Sequence, residues 1–303
     1  MNNRKSLILH ISYISILIII SATTIRHSRS DKAQEQMLNT DYLSDTEQME
    51  ETEDNEQTLH YVDAWGEWHD TIIRDDIAKH DYAWTCLKQT ENGITEGDSN
   101  YAIRKGIDVS YHQGDINWKK VKDAGYDFAF IRIAYRGYGE EGQLNADCMA
   151  LANIEEAQAA GMDVGVYVFS QAVNEEEADE EARFVLDQLQ GRTLELPIVY
   201  DPELIRDDEA RTDSVTGEQF TANTIAFCER IKEAGYQPMI YSNMVWEADL
   251  YDLGKLQSYP IWYADYEQIP QTPYAFRFWQ YSEKGTVDGI CGDVDLDVEF
   301  MRR

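Results

Sequence analysis

Short apolar runs alternate with segments of helical periodicity from residue 104 to residue 243, and this alternation leaves few folds open to the chain. The apolar runs predict strands at residues 105–110, 128–134, 163–169, 196–201 and 238–242. The segments between them predict helices at residues 118–124, 145–160, 175–189 and 220–234. Strands that are apolar on both faces and joined by helices form a parallel sheet covered by helices.

Three further apolar runs follow with little helix between them. They are "IWYA" at residues 261–264, "FRFWQY" at residues 276–281 and a final run at residues 294–298. Eight strands in about 200 residues predict an α/β fold of the barrel type that has few helices near its end. In such barrels the functional groups lie at the carboxyl ends of the strands.

The residues at these strand ends are mostly acids and aromatics. Asp108 ends the first strand, Asp201 and Glu203 end the fourth, and the tail "GDVDLD" supplies Asp293, Asp295 and Asp297. The polar and aromatic side chains at the same rim are Tyr167, Tyr241, Trp262, Tyr263, Trp279 and Gln280. Acids beside aromatic rings are typical of sites that bind and cleave sugars.

The stretch "VYDPEL" places Asp201 and Glu203 two positions apart on a strand, so that their side chains share a face. Two close carboxyls cannot both ionise at their normal pKa, and the one whose pKa rises becomes a candidate general acid. A solvated D-x-E pair and an oxygen-only Mg²⁺ or Ca²⁺ site are the alternatives. The run "DVDLDVE" superficially resembles an EF-hand loop, but Val298 stands where that loop needs glycine.

Composition excludes several other function classes. A formal net charge of −31 disfavours nucleic acid and anionic lipid as partners. The four cysteines lack the CxxC spacing of zinc sites, and they leave three disulfide pairings, or free thiols, open. Only His112 of the six histidines falls within the predicted barrel, which argues against a metal-dependent esterase or deacetylase. We therefore expect no metal and no cofactor.

The first hundred residues divide into three segments by composition. Residues 1–30 carry an uncharged run at residues 7–25, which predicts export and a signal-anchor, with a cleaved signal peptide as the alternative. Residues 31–60 are strongly acidic and predict an extended tether. Residues 61–103 form an aromatic lead-in segment, and residues 104–303 form the barrel.

Seven motifs in chain order resemble glycoside hydrolase family 25, the Chalaropsis-type lysozymes. They are "GIDVSYHQGDINW", "FAFIRIAYRGYG", "DVGVYVFSQA", "PIVYDPE", "FCERIKEAGYQPMIYSN", "IWYADY" and "FWQYSEKGTVDGICGDVDLD". The resemblance covers roughly two thirds of the chain, from about Arg104 to Phe300. It implies a flattened TIM-like β/α barrel with eight strands and about five helices. It also implies cleavage of the β-1,4 bond between N-acetylmuramic acid and N-acetylglucosamine in peptidoglycan.

The resemblance also implies roles for individual residues. Glu203 matches the family's general acid/base, Asp201 its partner carboxylate, and Asp108 an acid that tunes the pair. A fourth acid belongs to the "VDLD" segment, where we place it on Asp295, with Asp293 and Asp297 as alternatives. The sugar-lining positions match Tyr167, Tyr241, Trp262, Tyr263, Trp279 and Gln280.

The sequence departs from the family pattern at two positions next to the acid pair, Pro202 between Asp201 and Glu203 and Tyr200 before Asp201. Pro202 lacks an N–H, so the strand must be at a frayed end or an exposed edge there, and Tyr200 stands where an aliphatic residue is common. A wall-binding barrel without catalysis is the alternative function, but the chain retains every acid of the motif set. We expect peptidoglycan glycan strands as the partner, a monomer in solution, and membrane contact through the N-terminal segment only.

Overall fold

The structure is a computed structural model that describes residues 57–90, 93–94 and 99–303. These residues belong to one compact unit, Asp54–Arg303. The predicted signal-anchor at residues 1–30 lies outside the described residues, and so does the predicted tether at residues 31–60 except for its last four residues. Within the described ranges, no helix combines the length and the apolar character needed to cross a bilayer.

The secondary structure follows the predicted alternation, with added strands at the N-terminal end. The strands are β1 Thr58–Val62, β2 Trp68–Ile72, β3 Gln89–Thr90, β4 Gly93–Ile94, β5 Tyr101–Val109, β6 Phe128–Arg136, β7 Leu144–Ala146, β8 Asp163–Ser170, β9 Ile198–Pro202, β10 Pro238–Ser242, β11 Ile261–Ala264, β12 Phe278–Gly285 and β13 Val294–Arg302. The α-helices are α1 Trp118–Asp123, α2 Ala150–Ala159, α3 Glu175–Leu189, α4 Gly217–Glu233 and α5 Leu253–Leu256. A single π-helical turn, Trp246–Leu250, precedes α5.

Eight of these strands close a barrel in the order β5-β6-β8-β9-β10-β11-β12-β13, with β13 paired back to β5. The predicted barrel of eight strands and about five helices is therefore confirmed. The last strand, however, is antiparallel to both of its neighbours, so the sheet is not parallel throughout. Because β13 begins at the rim where the other strands end, Asp295 pairs directly with Asp108.

The barrel interior is filled by alternate side chains of the strands, as their period of two requires. Its apolar layer consists of Phe128, Phe130, Leu196, Val199, Met239, Tyr241, Trp262, Ala264 and Phe278. Gly106 provides the room for this layer, since a Cβ there would lie 2.1 Å from the Phe128 ring. The opposite faces of the same strands pack under the helices as a second, larger core.

The helices begin and end where their caps dictate. Asn174 and Thr216 cap α3 and α4 by accepting hydrogen bonds from the amides of Glu177 and Gln219. The helix predicted from residue 145 starts only at Ala150. The buried carboxylate of Asp147 accepts bonds from the Met149 amide and from elsewhere in the fold, so it holds the preceding residues in a turn.

The aromatic lead-in segment packs directly on the barrel. Strands β1 and β2 form an antiparallel hairpin that starts at Thr58, so the end of the range predicted as tether is strand. Gln271 exchanges two hydrogen bonds with the backbone of Val62, at 2.7 and 2.9 Å. Further along, Tyr82 stacks on Phe300 with ring centroids 4.2 Å apart.

The four cysteines are free thiols in the described part of the chain. Cys228 lies on the buried face of α4, while Cys86, Cys148 and Cys291 are exposed. Of the alternatives left open by the sequence, the structure therefore shows unpaired cysteines.

Candidate active site

A groove of about 620 Å³ opens at the carboxyl end of the parallel strands. It contains all four predicted acids, Asp108, Asp201, Glu203 and Asp295, together with the predicted Tyr167, Tyr241, Trp262 and Gln280. The other residues that line it are Ala64, Trp65, Leu204, Asn243, Val245, Trp246, Tyr266 and Glu283. Eight side chains predicted from seven separate strands or loops thus converge on one surface.

The end of β9 carries Asp201 and Glu203 into the groove. Pro202 is the last residue of this strand and lies past the final register pair with β10, so its missing N–H leaves no gap in the ladder between β9 and β10. Beyond it, the Gln171 side chain donates a 2.7 Å hydrogen bond to the carbonyl of Glu203. Thr212 in turn holds the Gln171 side chain at 2.8 Å, and this contact keeps the backbone of the acid pair in place.

The two carboxyls of the pair differ in their surroundings. Glu203 is exposed at the groove surface, whereas Asp201 is buried. Desolvation by the groove walls and the charge of Asp295 raise the pKa of Glu203 to about 7, against a smaller opposing effect of Arg132. Burial and the nearby Glu203 also raise the pKa of Asp201. The pair can therefore retain one proton near neutral pH, as a general acid requires.

One oxygen of the buried Asp201 carboxyl lacks a hydrogen-bond partner. In the described part of the chain, this Oδ1 atom is inaccessible to bulk solvent and accepts no hydrogen bond. Leaving a buried acceptor unpaired is unfavourable, and this cost falls mainly on the ionised form of the carboxyl. The unpaired oxygen is therefore consistent with the raised pKa of Asp201.

Asp108 lies at the centre of a hydrogen-bonded network on the other side of the groove. Gln280 donates a 2.7 Å bond to Asp108 Oδ2 and accepts bonds from Tyr241 at 2.9 Å and Tyr266 at 3.0 Å. Burial and the charge of Asp295 raise the pKa of Asp108 well above its usual range. A protonated Asp108 can then donate to its acidic neighbours, which explains why its hydrogen bond acts to lower the pKa of Asp295.

The three acids of the C-terminal segment occupy different places. Asp295 is half-buried and lines the groove, and burial raises its pKa to about 6. Asp297 lies one pleat deeper, fully buried, where its Oδ1 accepts a 2.8 Å bond from the Trp262 indole. Asp293 is exposed outside the groove. The geometry therefore favours Asp295 among the three alternatives.

Trp279 and Tyr263 do not lie where the sequence placed them. Each is adjacent in its strand to a residue that faces the groove, so alternation turns both rings outward into the core under the helices and lead-in segment. The Trp279 indole donates a 2.7 Å bond to the carbonyl of Asp265, and the Tyr263 hydroxyl bonds to the Asp265 carboxylate at 3.1 Å. Tyr263 contacts only a smaller cavity beside the groove.

Sequence reasoning missed Trp65, Arg132 and Tyr266. Arg132 had a signal, because it is a charge inside the apolar run "FAFIRIA". Its positive charge acts to lower the pKa of both Asp201 and Glu203, and an ion pair with Asp147 at 3.1 Å holds it. Trp65 comes from the lead-in segment, and no local pattern connects that segment to the strand ends.

One group of side chains in the described ranges could offer ligands to a metal ion. Its members are Asp63, Glu67 and His69, whose ligand atoms lie within 4.8 Å of one another. The Asp63 carboxylate, however, accepts bonds from the amides of Trp65 and Glu67, both at 2.9 Å, and contacts His69 at 3.1 Å. It therefore acts as an internal brace of the β1–β2 hairpin.

The arrangement can protonate a leaving group and stabilise positive charge on a ring held against aromatic side chains. Trp262 forms the floor between the acids, and it stacks on Phe130 at 4.7 Å and meets Tyr241 edge-on at 5.0 Å. An acid whose pKa is near neutrality, a second carboxylate beside it and an aromatic floor are the elements of glycoside hydrolysis.

Comparison with known proteins points in the same direction. The model of the family "Glycosyl hydrolases family 25" matches residues 107–290. The uncharacterised protein YegX of Escherichia coli strain K12 is 32% identical over 209 residues, which cover 66% of this chain and 70% of that protein. Lysozyme M1 of Streptomyces globisporus is 31% identical over 211 residues, which cover 66% and 69%. The structure of a family 25 glycosyl hydrolase from Bacillus anthracis superposes with a TM-score of 0.55 at 25% identity, covering 67% of this chain and 91% of the other.

Proposed function

The chain belongs to glycosyl hydrolase family 25, and from this premise we propose that its groove cleaves peptidoglycan between N-acetylmuramic acid and N-acetylglucosamine, with Glu203 and Asp201 as the reacting carboxyls. The protein is a peptidoglycan hydrolase of the lysozyme type. The observation that supports the assignment of residues is the convergence of Asp108, Asp201, Glu203 and Asp295 on one groove. The raised pKa of Glu203, about 7, agrees with the role of general acid.

In the first step, Glu203 donates its proton to the glycosidic oxygen. The bond between this oxygen and the anomeric carbon of the muramic acid breaks, and its electron pair moves to the oxygen of the departing glucosamine. Positive charge develops on the muramic acid ring. Asp201, Asp295 and the other acids of the groove favour that charge, because their field is negative.

The fate of the anomeric carbon follows one of three routes. Asp201 attacks it and forms a glycosyl ester, or Asp201 accepts a hydrogen bond from the substrate's 2-acetamido N–H while the acetamido oxygen attacks. In both cases Glu203, now ionised, removes a proton from the water that completes hydrolysis with retention. In the third route, water activated by Asp201 attacks directly and inverts the centre. Asp201 lines the groove together with Glu203, and this position supports each of these roles.

The proposal is tested by mass spectrometry of the fragments released from purified peptidoglycan. A chain that starts at residue 57 and contains every described residue should release fragments with muramic acid at the reducing end. Reducing-end glucosamine, or peptides without sugar cleavage, would show a different bond specificity. The anomeric configuration of the first product, read by NMR, separates the retaining routes from the inverting one.

Its substrate is a cell-wall polymer, so the protein acts outside the cytoplasm. We propose further that residues 7–25 anchor it to the outer face of the cell membrane and that it works there as a monomer. A tether would concentrate the enzyme at the inner surface of the wall without the basic patches that a net charge of −31 disfavours. N-terminal sequencing of the protein from membranes tests this, since a mature terminus beyond residue 25 would show a cleaved signal peptide.

A further inference from the structure

The β1–β2 hairpin lies outside the matched family region, yet it forms part of the groove wall. Its turn, residues 63–67, places Ala64 and Trp65 among the residues that line the cavity of the four acids. Trp65 is 48% exposed, and it is one of three large apolar side chains that this hairpin leaves open to solvent. The other two, Trp68 at 74% and Ile72 at 43%, line neither cavity next to the turn.

The turn that carries Trp65 is held rigidly. Asp63 is buried, and burial alone would raise the pKa of its carboxyl, but bonds from the Glu67 amide, His69, the Trp65 amide and Arg206 keep that pKa below its usual value. The Asp63 amide donates to the carbonyl of Glu67 at 2.9 Å, closing the turn. Because the backbone is fixed, the indole can bind a ligand with little loss of conformational freedom.

Arg206 completes the support from the opposite side. It follows Glu203 on the same loop, and its guanidinium lies 3.7 Å from the centre of the Trp65 ring. The same guanidinium contacts the carboxylates of Asp63 and Glu67, each at 3.5 Å. A cation over an indole face stabilises the ring orientation. Arg206 thus connects the catalytic loop to the hairpin as a positioning residue.

The groove also continues beneath the hairpin. A second cavity of about 240 Å³ shares Trp65, Tyr241 and Tyr266 with the groove of the acids, and its far side is the hairpin backbone from Val62 to Gly66. Flat sugar faces stack on aromatic rings, and indole offers the largest such face among the side chains.

We propose that Trp65 forms an additional carbohydrate subsite of the groove, in which the hairpin indole stacks on a sugar of the glycan strand away from the bond that is cleaved. This inference rests on the proposed function for the identity of the sugar. It makes the lead-in segment part of the substrate-binding machinery, and it predicts a preference for long glycan strands over short oligomers.

The test compares three variants of the chain that starts at residue 57: Trp65→Ala, Trp65→Phe and the matched control Trp68→Ala. With soluble long glycan strands, Trp65→Ala should raise KM roughly tenfold with kcat little changed. The reason is that the bound sugar no longer buries one face of the indole. Trp65→Phe should fall between Trp65→Ala and the native protein, and Trp68→Ala should match the native protein. With short oligomers that span only the scissile bond, the rise in KM caused by Trp65→Ala should be much smaller than with long strands.

A binding measurement separates failure of this inference from failure of the proposed function. In a Glu203→Gln background, calorimetry should show roughly tenfold weaker binding of long strands when Trp65→Ala is added. Equal affinity with and without Trp65→Ala, or a gain in activity from that change, would overturn the subsite. If the native protein releases no reducing-end muramic acid but the binding difference persists, the cleavage assignment fails and the subsite stands. The melting temperature of each tryptophan variant should stay close to that of its own parent protein, since Trp65 is half exposed and Trp68 is 74% exposed.

Discussion

At the residue scale, the proton on Glu203 decides whether the proposed reaction can begin. Its carboxyl opens onto the groove surface, and its pKa is raised first by desolvation against the groove walls and then by the charge of Asp295. The same walls carry Asp108 and Asp295, whose pKa values are raised as well. Neighbouring acids that compete for protons allow one carboxyl to serve as an acid at a pH where an isolated one would be ionised.

Replacing Glu203 by Gln removes the proton donor and keeps the shape of the side chain. We expect kcat on peptidoglycan to fall roughly 10³-fold, because general acid catalysis contributes about that much. The matched control is Glu209→Gln, an exposed glutamate on the loop that follows β9. Retention of native activity by Glu203→Gln would assign the acid to another residue.

The raised pKa of Glu203 sets the alkaline limit of activity. Since the general acid must be protonated, kcat/KM should fall about tenfold per pH unit above about pH 7. Initial rates on soluble glycan strands across the pH range measure this, with circular dichroism at each pH as the check on folding. A rate that stays constant through pH 9 would contradict the assignment.

The same raised pKa values predict that the site weakens the fold at neutral pH. Asp295 has a pKa of about 6 in the folded protein against 3.8 as its ordinary value, so the folded state holds its proton more tightly. Stability from this group is therefore full below about pH 4 and is lost as the pH rises through about 6. Asp295→Asn should be more stable than the native protein by roughly 1 kcal/mol at pH 7 and not at pH 4.

Urea unfolding at both pH values checks this prediction. Asp293→Asn is the control, because that side chain is exposed two positions away in the same segment. Equal stabilisation at pH 4 and pH 7 would show that the effect does not arise from titration of Asp295.

At the element scale, β5 depends on a residue without a side chain. A methyl group on Gly106 would lie 2.1 to 2.4 Å from three atoms of the Phe128 ring, which is itself packed between Phe130 and Phe278. The backbone of β5 cannot move far without breaking its pairing with β6, and the Phe128 ring cannot move far without disturbing the aromatic layer inside the barrel. The position therefore links the pairing of β5 with β6 to the packing of the interior.

Gly106→Ala should lower the free energy of unfolding by roughly 3 kcal/mol, the upper part of the range for overpacking a closed core. Gly139→Ala is the matched control, since a Cβ at Gly139 meets nothing within 4 Å and its backbone is not in the left-handed region. Chemical denaturation of both variants measures the difference. Equal stability would mean that the Phe128 ring can move aside.

Most elements were predictable because their signals are local. The apolar runs at residues 238–242 and 261–264 match β10 and β11 residue for residue, and the capped helix at residues 175–189 matches α3. The helix expected from residue 145 failed at its first turn, because Asp147 makes distant contacts with the Tyr111 amide and Arg132. The antiparallel direction of β13 was also not predicted, since an apolar run does not indicate whether its strand runs parallel or antiparallel to its neighbours.

At the scale of the whole molecule, the lead-in segment is bound into the barrel as well as into the groove. Trp84 packs against Phe276 and Trp279, and Tyr82 bonds to the carbonyl of Phe276 and stacks on Phe300. The Arg74 amide donates a 2.9 Å bond to the Tyr274 hydroxyl. The segment thus covers apolar rings in and before the last two strands, where the described residues contain no helix after α5.

A chain that begins at residue 101 should therefore be less stable than one that begins at residue 57. Loss of the lead-in segment exposes several aromatic rings, and we expect the melting temperature to fall by more than about 10 °C or the protein to become insoluble. Differential scanning calorimetry of the two chains measures this. An unchanged melting temperature would show that the barrel is closed without the segment.

The sequence alone determined the barrel, its order of strands and the D-x-E acid pair, because these follow from local periodicity and from motifs continuous in the chain. Only the tertiary structure decided which side chains meet. The antiparallel entry of β13 sets Asp295 against Asp108, alternation turns Trp279 and Tyr263 away from the groove, and the hairpin brings Trp65 across to it. These outcomes depend on pairings between residues far apart in sequence, which no local pattern encodes.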